Sequence, residues 1–384
     1  MVFIKINIKS YLKVLSLSVF ILFLVSCKEV GPDYEGAPEL EVPENWENQL
    51  NSEFNETNAS QTKWWTLFND PVLNDLISRA AVDNLDAKIA LARVEVARAN
   101  FGIADAARSP ELDGVGDVSE KSQSKSVSGD RDTGIYSSIG LDISWEIDIF
   151  GYVRRSIEAA DAQLERSVEA YRDVMVILYA EIAKNYVALR TAQERLQYAL
   201  ENVKSQKDTL RIVNARYKAE LVSEVDLLQS EQNLAAAESN IPLFFARINE
   251  LSNGLAILLG KNPGTLNSEL KQSYGIPHVP EKTVVQVPRE ILRQRPDIRE
   301  AERLLAQETA EVGIATAEEY PRFNLNGTFG YDSKEFDNQF SSDSRYWSFG
   351  PNFRWNIFDG GATQAAIEVQ DAQVEEARDR KSVV

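Results

Sequence analysis

The sequence has little of the side-chain chemistry that enzymes and metal proteins use. Its 384 residues include one cysteine, one histidine and two methionines. A single cysteine excludes a disulfide within the chain. One cysteine and two methionines are also too few to form a cluster of sulfur ligands for a soft metal. The histidine, His278, lies among prolines, and no glycine-rich phosphate loop follows a strand-like segment. An enzyme is therefore the least favoured class, and we expect no metal or soluble cofactor.

Positive charge is also scarce. The chain has 41 lysine and arginine residues against 59 aspartate and glutamate residues, a formal net charge of -18 at pH 7. This balance argues against binding to nucleic acid and against electrostatic docking on anionic lipid. It fits a solvated acidic surface, or an acidic lumen that attracts cations. Apolar residues make up 43% of the chain, which is normal for a folded protein and too little for a helical membrane protein.

The only long apolar run lies at the N-terminus, where residues 1–26 are typical of an export signal. Three lysines precede an apolar stretch over residues 14–25, which is too short to span a bilayer as a helix. The stretch ends in Leu-Val-Ser-Cys, which resembles a bacterial lipobox, so Cys27 is the expected site of lipidation. Inner-membrane retention is commonly marked by an Asp directly after this cysteine. Its absence here indicates an outer-membrane lipoprotein.

Residues 27–69 are rich in proline, and we expect them to form an extended anchor arm. The residues after this arm form a tandem repeat. The residues Asp161–Glu165 recur as Asp371–Glu375, an offset of 371 − 161 = 210. Other matches, at this offset or one residue more, are Gly140 with Gly350, Trp145 with Trp355, Gly151 with Gly361 and Pro110 with Pro321. We therefore predict a first repeat over residues 70–290 and a second, incomplete repeat over residues 291–384.

Each repeat contains a pair of strand-like segments with one apolar and one polar face. These segments are residues 112–118, which are weakly patterned, and residues 138–149, 323–331 and 347–357. Such strands suit a soluble sandwich or a membrane barrel, and their aromatic apolar faces favour the barrel. Trp145, Trp347 and Trp355 lie near strand ends, where membrane-interface aromatics are expected. Four strands cannot close a barrel, so several chains must contribute.

A long helical hairpin follows the first strand pair. Between Gly151 and about Ala219 there is neither proline nor glycine, and apolar residues recur every seven positions. This pattern predicts a coiled-coil helix of about 100 Å, at ~1.5 Å per residue. A break near residues 220–223 precedes a second, antiparallel helix over about residues 224–260, kinked at Pro242. A periplasmic coiled-coil scaffold is the alternative class, and the aromatic strands argue against it.

Several short motifs are spread along the chain. The most specific is Arg295-Pro296-Asp297-Ile298-Arg299, followed by Gly313-Ile314-Ala315. The others are Trp64-Trp65, Asn69-Asp70-Pro71, Arg216-Tyr217, Val222-Ser223, Asp226-Leu227-Leu228 and Leu259-Gly260. In this order they resemble the TolC-like outer-membrane efflux factors, in their lipoprotein branch. The resemblance extends over nearly all residues from Cys27 onward.

This resemblance implies an α+β membrane protein in two tandem repeats, of which the second is truncated. It implies a homotrimer whose twelve strands form one outer-membrane barrel and whose long hairpins form a periplasmic tunnel. The implied function is passive export of drugs or other small solutes, as the channel subunit of a tripartite pump. A periplasmic adaptor and an inner-membrane pump are the implied partners.

The resemblance also assigns residues at the hairpin tip. The adaptor is expected to contact Glu220, Leu221, Val222 and Ser223, and Asp226 is the candidate residue for a periplasmic gate. The family usually has glycine where Glu220 stands. Glutamate adopts a left-handed turn less readily than glycine, so this departure leaves the position of the tip open by a residue or two.

The second repeat is expected to lack its long hairpin. At the offset of 210, Val384 corresponds to Val174 (384 − 210 = 174), early in the long helix of the first repeat. The counterpart of about residues 174–260 is then absent, and half of the tunnel wall with it. We interpret the chain as a fragment of a longer efflux protein, with a non-functional truncated form as the alternative.

Overall fold

The computed structural model describes residues 29–36, 54–56, 63–122, 126, 133–278, 283–285, 292–334 and 336–383. The export signal, Cys27 and most of the expected arm lie outside these residues. The chain divides into two compact units. The first comprises Met1–Leu40, Glu95–Ser167 and Glu300–Val384, and the second comprises Glu41–Val94 and Val168–Arg299.

The described residues repeat an order of helix, two strands and helix. The helices are α1 (Pro71–Asp83), α2 (Leu85–Ala106), α3 (Tyr152–Lys218), α4 (Glu224–Ser239), α5 (Ile241–Leu258), α6 (Asn267–Leu270), α7 (Pro296–Ala317) and α8 (Ala362–Val383). The strands are β1 (Phe54–Glu56), β2 (Glu111–Ser122), β3 (Thr133–Ile147), β4 (Thr283–Val285), β5 (Arg322–Ser333) and β6 (Arg345–Arg354). The predicted combination of long helices and two strand pairs is confirmed.

The first unit holds an antiparallel four-stranded sheet in the order β2-β3-β5-β6. Each strand pair is a hairpin of its own repeat, and β3 pairs with β5 to join the two repeats. Leu141 lies opposite Phe329, which lies opposite Trp347. Because side chains alternate along a strand, this register puts the apolar residues of the strands on one face and the polar residues on the other.

Two strand boundaries differ from the prediction. β6 ends at Arg354, so Trp355 and Ile357 lie beyond the strand. β2 is a full strand of 12 residues, whereas a weak, glycine-rich pattern predicted only residues 112–118. All of its residues pair with β3. Strand formation in β2 therefore depends on its partner more than on its own residue preferences.

Two tryptophans at equivalent positions tie the sheet to the preceding helices. The indole Nε1 of Trp145 donates to the carbonyl of Arg108 at 3.1 Å, just after α2. The indole Nε1 of Trp355 donates to the carbonyl of Glu319 at 3.0 Å, just after α7. The acceptors differ by 319 − 108 = 211 positions and the donors by 355 − 145 = 210. The duplication predicted from the sequence is therefore visible as a repeated contact.

In the second unit, α3 contributes to a core with α1 and α5. α3 is one continuous helix of 67 residues, as predicted. Ile182 and Leu189, which occupy the predicted heptad position, are fully buried. They belong to one cluster with Leu76 of α1 and Leu255 of α5. The heptad pattern therefore marks the packed side of this stretch of the helix.

The return arm of the hairpin is two helices instead of one kinked helix. α4 ends at Ser239, Asn240 lies between the helices, and α5 begins at Ile241. Pro242 has no N–H to donate and its ring would clash with the preceding turn of a continuing helix. It is instead accommodated in the first turn of α5, where a missing N–H is harmless.

Two features of the second unit were not predicted. β1 and β4 form a short parallel pair that joins a piece of the arm to a later linker. The second feature is Asn84, which caps α2: its Oδ1 accepts from the Ala87 N–H at 2.8 Å. Its Nδ2 donates to the Leu258 carbonyl at 2.8 Å, which ties α2 to the end of α5. The β1–β4 pairing and the bond from Asn84 to Leu258 join residues distant in sequence, which local patterns do not reveal.

Asp70 caps the start of α1 and also joins α1 to α3. Its Oδ1 accepts from the N–H groups of Val72 and Leu73 at 2.9 and 3.0 Å. Its Oδ2 accepts from the hydroxyl of Tyr186 at 2.7 Å. Burial raises the pKa of Tyr186 to about 12, so the hydroxyl stays protonated and remains a donor. The Asp70 carboxylate thus both caps α1 and binds a buried tyrosine of α3.

We predict that Tyr186→Phe lowers the free energy of unfolding by about 1–3 kcal/mol, because a buried oxygen of Asp70 loses its partner. Denaturant unfolding of the purified protein in detergent measures this change. Tyr198→Phe is the matched control, because the Tyr198 side chain is 61% exposed and its hydroxyl bonds to Glu194 at 3.3 Å. Equal effects of the two substitutions would contradict the role given to Asp70.

Candidate functional site

The first part of the site is the apolar face of the sheet. Its rows run across the strands: Ile139, Tyr331 and Arg345; Leu141, Phe329 and Trp347; Ile143, Gly327 and Phe349; Ile147, Phe323 and Phe353. The aromatic residues of β6 are the most exposed, at 72% for Trp347, 67% for Phe349 and 65% for Phe353. A contiguous exposed aromatic face is unusual for a protein surrounded by water. It indicates a surface that lipid or another protein covers.

The opposite face of the sheet is polar. Asp113 lies opposite Asp142 in the register of β2 and β3. Arg322 donates to both carboxylate oxygens of Glu146, from Nε at 3.1 Å and from Nη2 at 2.7 Å. An acidic pair that is not buried and a bidentate ion pair fit a face in contact with water.

Two glycines allow an aromatic ring to lie across the polar face. Gly140 and Gly330 are opposite each other in β3 and β5. A Cβ on Gly330 would stand 2.9 Å from the hydroxyl oxygen of Tyr346, and a Cβ on Gly140 would stand 3.3 Å from it. Larger residues at these two positions would push Tyr346 away from the sheet.

The three predicted interface tryptophans lie at the two ends of the sheet. Trp145 and Trp355 are at the end where the strands join the helices, and each bonds a carbonyl there. Trp347 is near the start of β6, at the opposite end, and is highly exposed. Indoles at both rims of an apolar face are typical of membrane interfaces.

The second part of the site is the hairpin tip between α3 and α4. The Leu221 N–H donates to the Arg216 carbonyl and the Glu220 N–H to the Tyr217 carbonyl, both at 2.9 Å. This is the hydrogen-bond pattern of a Schellman motif, which needs a left-handed residue after the helix end. Glu220 takes that conformation, with φ of 58°. The tip therefore adopts the glycine-type turn although it carries glutamate.

Asp226, the candidate gate residue, is part of a capping box at the start of α4. Its Oδ2 accepts from the Ser223 N–H at 2.9 Å and from the Ser223 hydroxyl at 2.7 Å. The Ser223 hydroxyl oxygen in turn accepts from the Asp226 N–H at 3.3 Å. The bonds from Ser223 hold the pKa of Asp226 below its usual value, so it stays ionised at neutral pH. Ser223 and Asp226 thus fix the direction in which α4 leaves the tip.

We predict that Glu220→Gly increases the free energy of unfolding by up to about 1 kcal/mol, because glycine adopts the left-handed conformation without strain. The end of α5 offers the matched control, since Gly260 holds the same position in an equivalent motif, with φ of 66°. A Cβ on Gly260 would lie 2.5 Å from the Asp83 carbonyl oxygen, so Gly260→Ala is expected to destabilise. Destabilisation by Glu220→Gly would contradict the geometry of the tip.

The Arg-Pro-Asp motif is a device that starts α7. Pro296 occupies the first turn, and Asp297 Oδ1 accepts from the Ile298 N–H at 2.9 Å. Arg295 Nε donates to the same carboxylate at 3.0 Å. The hydrogen bonds from Arg295 hold the pKa of Asp297 below its usual value. The motif is therefore structural: it fixes where this helix begins.

The third part of the site is the anchor segment, residues 29–36, whose first described residue lies two positions after Cys27. The side chain of Arg155 in α3 is 2% exposed and binds Asp33 Oδ1 at 2.6 Å and Glu158 Oε2 at 2.7 Å. Its Nε also donates to the Val30 carbonyl at 3.3 Å. The chain just after the expected lipid site is thus tied to the start of the long helix.

Two glycines allow the anchor segment, α7 and Arg155 to approach one another closely. A Cβ on Gly31 would lie 2.5 Å from the Cα of Gly313 in α7, and a Cβ on Gly313 would lie 2.8 Å from Cδ of Arg155. Sequence reasoning singled out Gly313 only as part of a family motif and missed Arg155 entirely. A glycine inside a strongly helical pattern is the signal that could have indicated a close approach.

We predict that Arg155→Gln loosens the anchor segment, because Asp33 and Glu158 lose their common cation. The partners are partly exposed, so a cost of about 1–3 kcal/mol is expected, less than for a fully buried ion pair. Limited proteolysis should then cut within residues 29–36 about tenfold faster or more. Arg211→Gln is the control, since that side chain is 76% exposed and 3.6 Å from Asp208. We call the contacts of Arg155 with Asp33, Glu158 and Val30 the clamp. Equal cutting rates in both variants would show that the clamp does not hold the anchor segment.

None of the helices in the described part of the chain combines the length and the apolar character needed to cross a membrane. Within the same residues, no group of three or more His, Cys, Asp or Glu side chains is arranged to hold a metal ion.

Known proteins resemble this chain over most of its length. Nodulation protein T of Rhizobium leguminosarum bv. trifolii is 31% identical over 350 residues, which cover 91% of this chain and 74% of that protein. The cation efflux system protein CusC of Escherichia coli K12 is 30% identical over 369 residues, which cover 94% of this chain and 77% of that protein. The solved outer-membrane channel OprN is 32% identical with a TM-score of 0.81, over 92% of this chain and 79% of that one.

The sequence profile of outer membrane efflux proteins matches residues 76–261 and 287–382. The chain therefore belongs to the outer membrane efflux protein family. It is an efflux channel protein of the outer membrane with the TolC-like fold, in which long periplasmic helices carry a strand pair from each of two repeats. The family, fold class, function and location expected from the sequence are confirmed.

Proposed function

We propose that three copies of this chain form one passive export duct, joined to a periplasmic adaptor and an inner-membrane pump. The observation that carries this proposal is the amphipathic four-stranded sheet with two edge strands, β2 and β6. Drugs or other small solutes are the expected cargo. The duct performs no chemical step, and selection among solutes is left to the pump.

The edges of the sheet support the need for more than one copy. Within the described residues, β2 and β6 each pair with one strand only. In lipid, the unpaired backbone groups of an open edge cost several kcal/mol each. Pairing β6 of one copy with β2 of the next satisfies both edges at once. Three copies would supply twelve strands, above the minimum of eight for a membrane barrel.

The two faces support opposite surroundings. The aromatic face would lie against lipid, with Trp145 and Trp355 at one rim and Trp347 at the other. The polar face would line the duct, where Asp113 and Asp142 bring acidic side chains. An acidic lumen is one of the two interpretations that the net charge of the sequence allowed.

Exposed aliphatic residues at the hairpin tip support contact with the adaptor. Leu221, Val225 and Leu228 are 68%, 73% and 56% exposed. Leu221 is one of the four predicted contact residues, with Glu220, Val222 and Ser223, and Val225 and Leu228 lie on the first two turns of α4. Apolar side chains held on a rigid capped turn suit a protein partner. Asp226 lies beside them, and we propose it as a gate residue in addition to its capping role.

A lipid on Cys27 would anchor the channel, and it is the only non-protein group that we propose. Each buried methylene of an acyl chain contributes about 0.8 kcal/mol, so several chains on one residue hold firmly. The clamp around Arg155 supports this role, because it keeps the chain after Cys27 attached to the folded body.

The tip tests the proposal most directly. We expect Leu221→Asp with Val225→Asp to reduce export of a fluorescent substrate to the level of cells without the channel, because buried carboxylates would oppose docking. Leu221→Ile is the conservative control and is expected to export normally. The measurement uses cells that also make the matching adaptor and pump. Equal amounts of assembled protein in the outer membrane show that folding is intact, and full export by the double variant would then rule out adaptor contact at the tip.

A further inference from the structure

The connection from β5 to β6 folds back onto the sheet. We call residues 336–344 the outer loop, because it lies at the end of the sheet opposite the helices. Its Gln339 is only 6% exposed. The Gln339 Nε2 donates to the carbonyls of Tyr331 at 3.1 Å and Ser137 at 3.3 Å. The Gln339 Oε1 accepts a hydrogen bond from the Ser137 hydroxyl. A buried, fully bonded side chain thus fixes the loop in one place.

The loop lies on the aromatic face of the sheet and not on the polar one. Tyr331 is opposite Ile139 in the register, which places its ring on the aromatic face beside Phe329. The ring of Phe340 in the loop packs edge-on against Tyr331, with centroids 5.5 Å apart. Phe340 therefore adds a further ring to the aromatic face near the outer end of the sheet.

Two aromatic rings of the outer loop are exposed, which is unusual for a surface in contact with water. Phe336 is 69% exposed and Phe340 is 72% exposed. The neighbouring positions Ser342 and Asp343 are polar and exposed. A loop held rigid by hydrogen bonds, with rings on the side of the aromatic face and polar groups beside them, matches a membrane interface.

The position of the loop distinguishes lipid from a second copy of the chain. Its contacts are with Ser137 of β3 and Tyr331 of β5, the two central strands of the sheet. A neighbouring copy would pair along β2 or β6 at the edges. The surface in front of the central strands is the one that faces the surrounding phase.

We propose that Phe336 and Phe340 form a wedge that inserts into the acyl region of the membrane leaflet at the outer end of the sheet. The wedge rests on the proposed function, since it requires the aromatic face to lie against lipid. Gln339 acts as a positioning residue that keeps both rings at the depth of that leaflet.

The test uses cysteines introduced singly at Phe340 and Phe336 of the full chain. Each is labelled with a polarity-sensitive fluorophore and reconstituted in phosphatidylcholine–phosphatidylglycerol vesicles that contain spin-labelled lipid. Ser342→Cys is the matched control on the same loop, and Leu141→Cys is the reference on the aromatic face of a central strand. Unsubstituted protein corrects for any labelling of Cys27. We expect lipid quenching at positions 336, 340 and 141 to be at least twice that at position 342.

The outcomes separate the wedge from the function. If position 141 is quenched and positions 336 and 340 behave like position 342, the wedge is wrong and the channel proposal stands. Absence of quenching at position 141 would overturn the orientation of the sheet, and both proposals with it. If positions 336 and 340 are shielded from spin-labelled lipid and from aqueous iodide, the loop packs against protein and the wedge is again wrong.

The positioning role has its own readout. Gln339→Ala removes the three hydrogen bonds that the Gln339 side chain makes with Ser137 and Tyr331. We expect it to reduce quenching at position 340 at least twofold and to leave quenching at position 141 unchanged. Unchanged quenching at position 340 would show that Gln339 does not set the depth of the ring.

Discussion

The constraint on which the rest of the structure depends is that a sheet in lipid cannot leave its backbone groups unpaired. The four strands satisfy it internally from β2 to β6, through registers that also sort aromatic from polar side chains. Only the two outermost strands remain open among the described residues. The proposed association of copies follows from those edges, and the proposed division into a lipid face and a water face follows from the registers.

Helix ends bind the rim of this sheet through side-chain hydrogen bonds. Trp145 and Trp355 bind carbonyls at the ends of α2 and α7, so each repeat attaches its strand pair by the same contact. Arg155 and two glycines attach the anchor segment near the start of α3. In the second unit, Asp70 and Asn84 join helix caps to the core. Polar side chains that each bond to two elements therefore recur in the described parts of both units.

Much of the fold could be predicted from the sequence, because its patterns are long and regular. The heptads of α3, the alternation in β3 and β5, and the duplication all repeat over many residues. What could not be predicted depends on residues far apart in the chain. The Arg155 cluster, the contact of Asn84 with Leu258 and the pairing of β1 with β4 leave no local pattern. At the tip, the departure from glycine at Glu220 left the position of the turn open, and the hydrogen bonds of the helix end place Glu220 in the left-handed conformation.

The most direct test of the account is the native mass of the complex extracted from outer membranes. The apolar face and the two open strand edges lead us to predict three copies of the chain in one particle, with no stable single copy in the membrane. A membrane-inserted monomer or dimer would contradict the account, because the edges of its sheet would have to be satisfied in some other way.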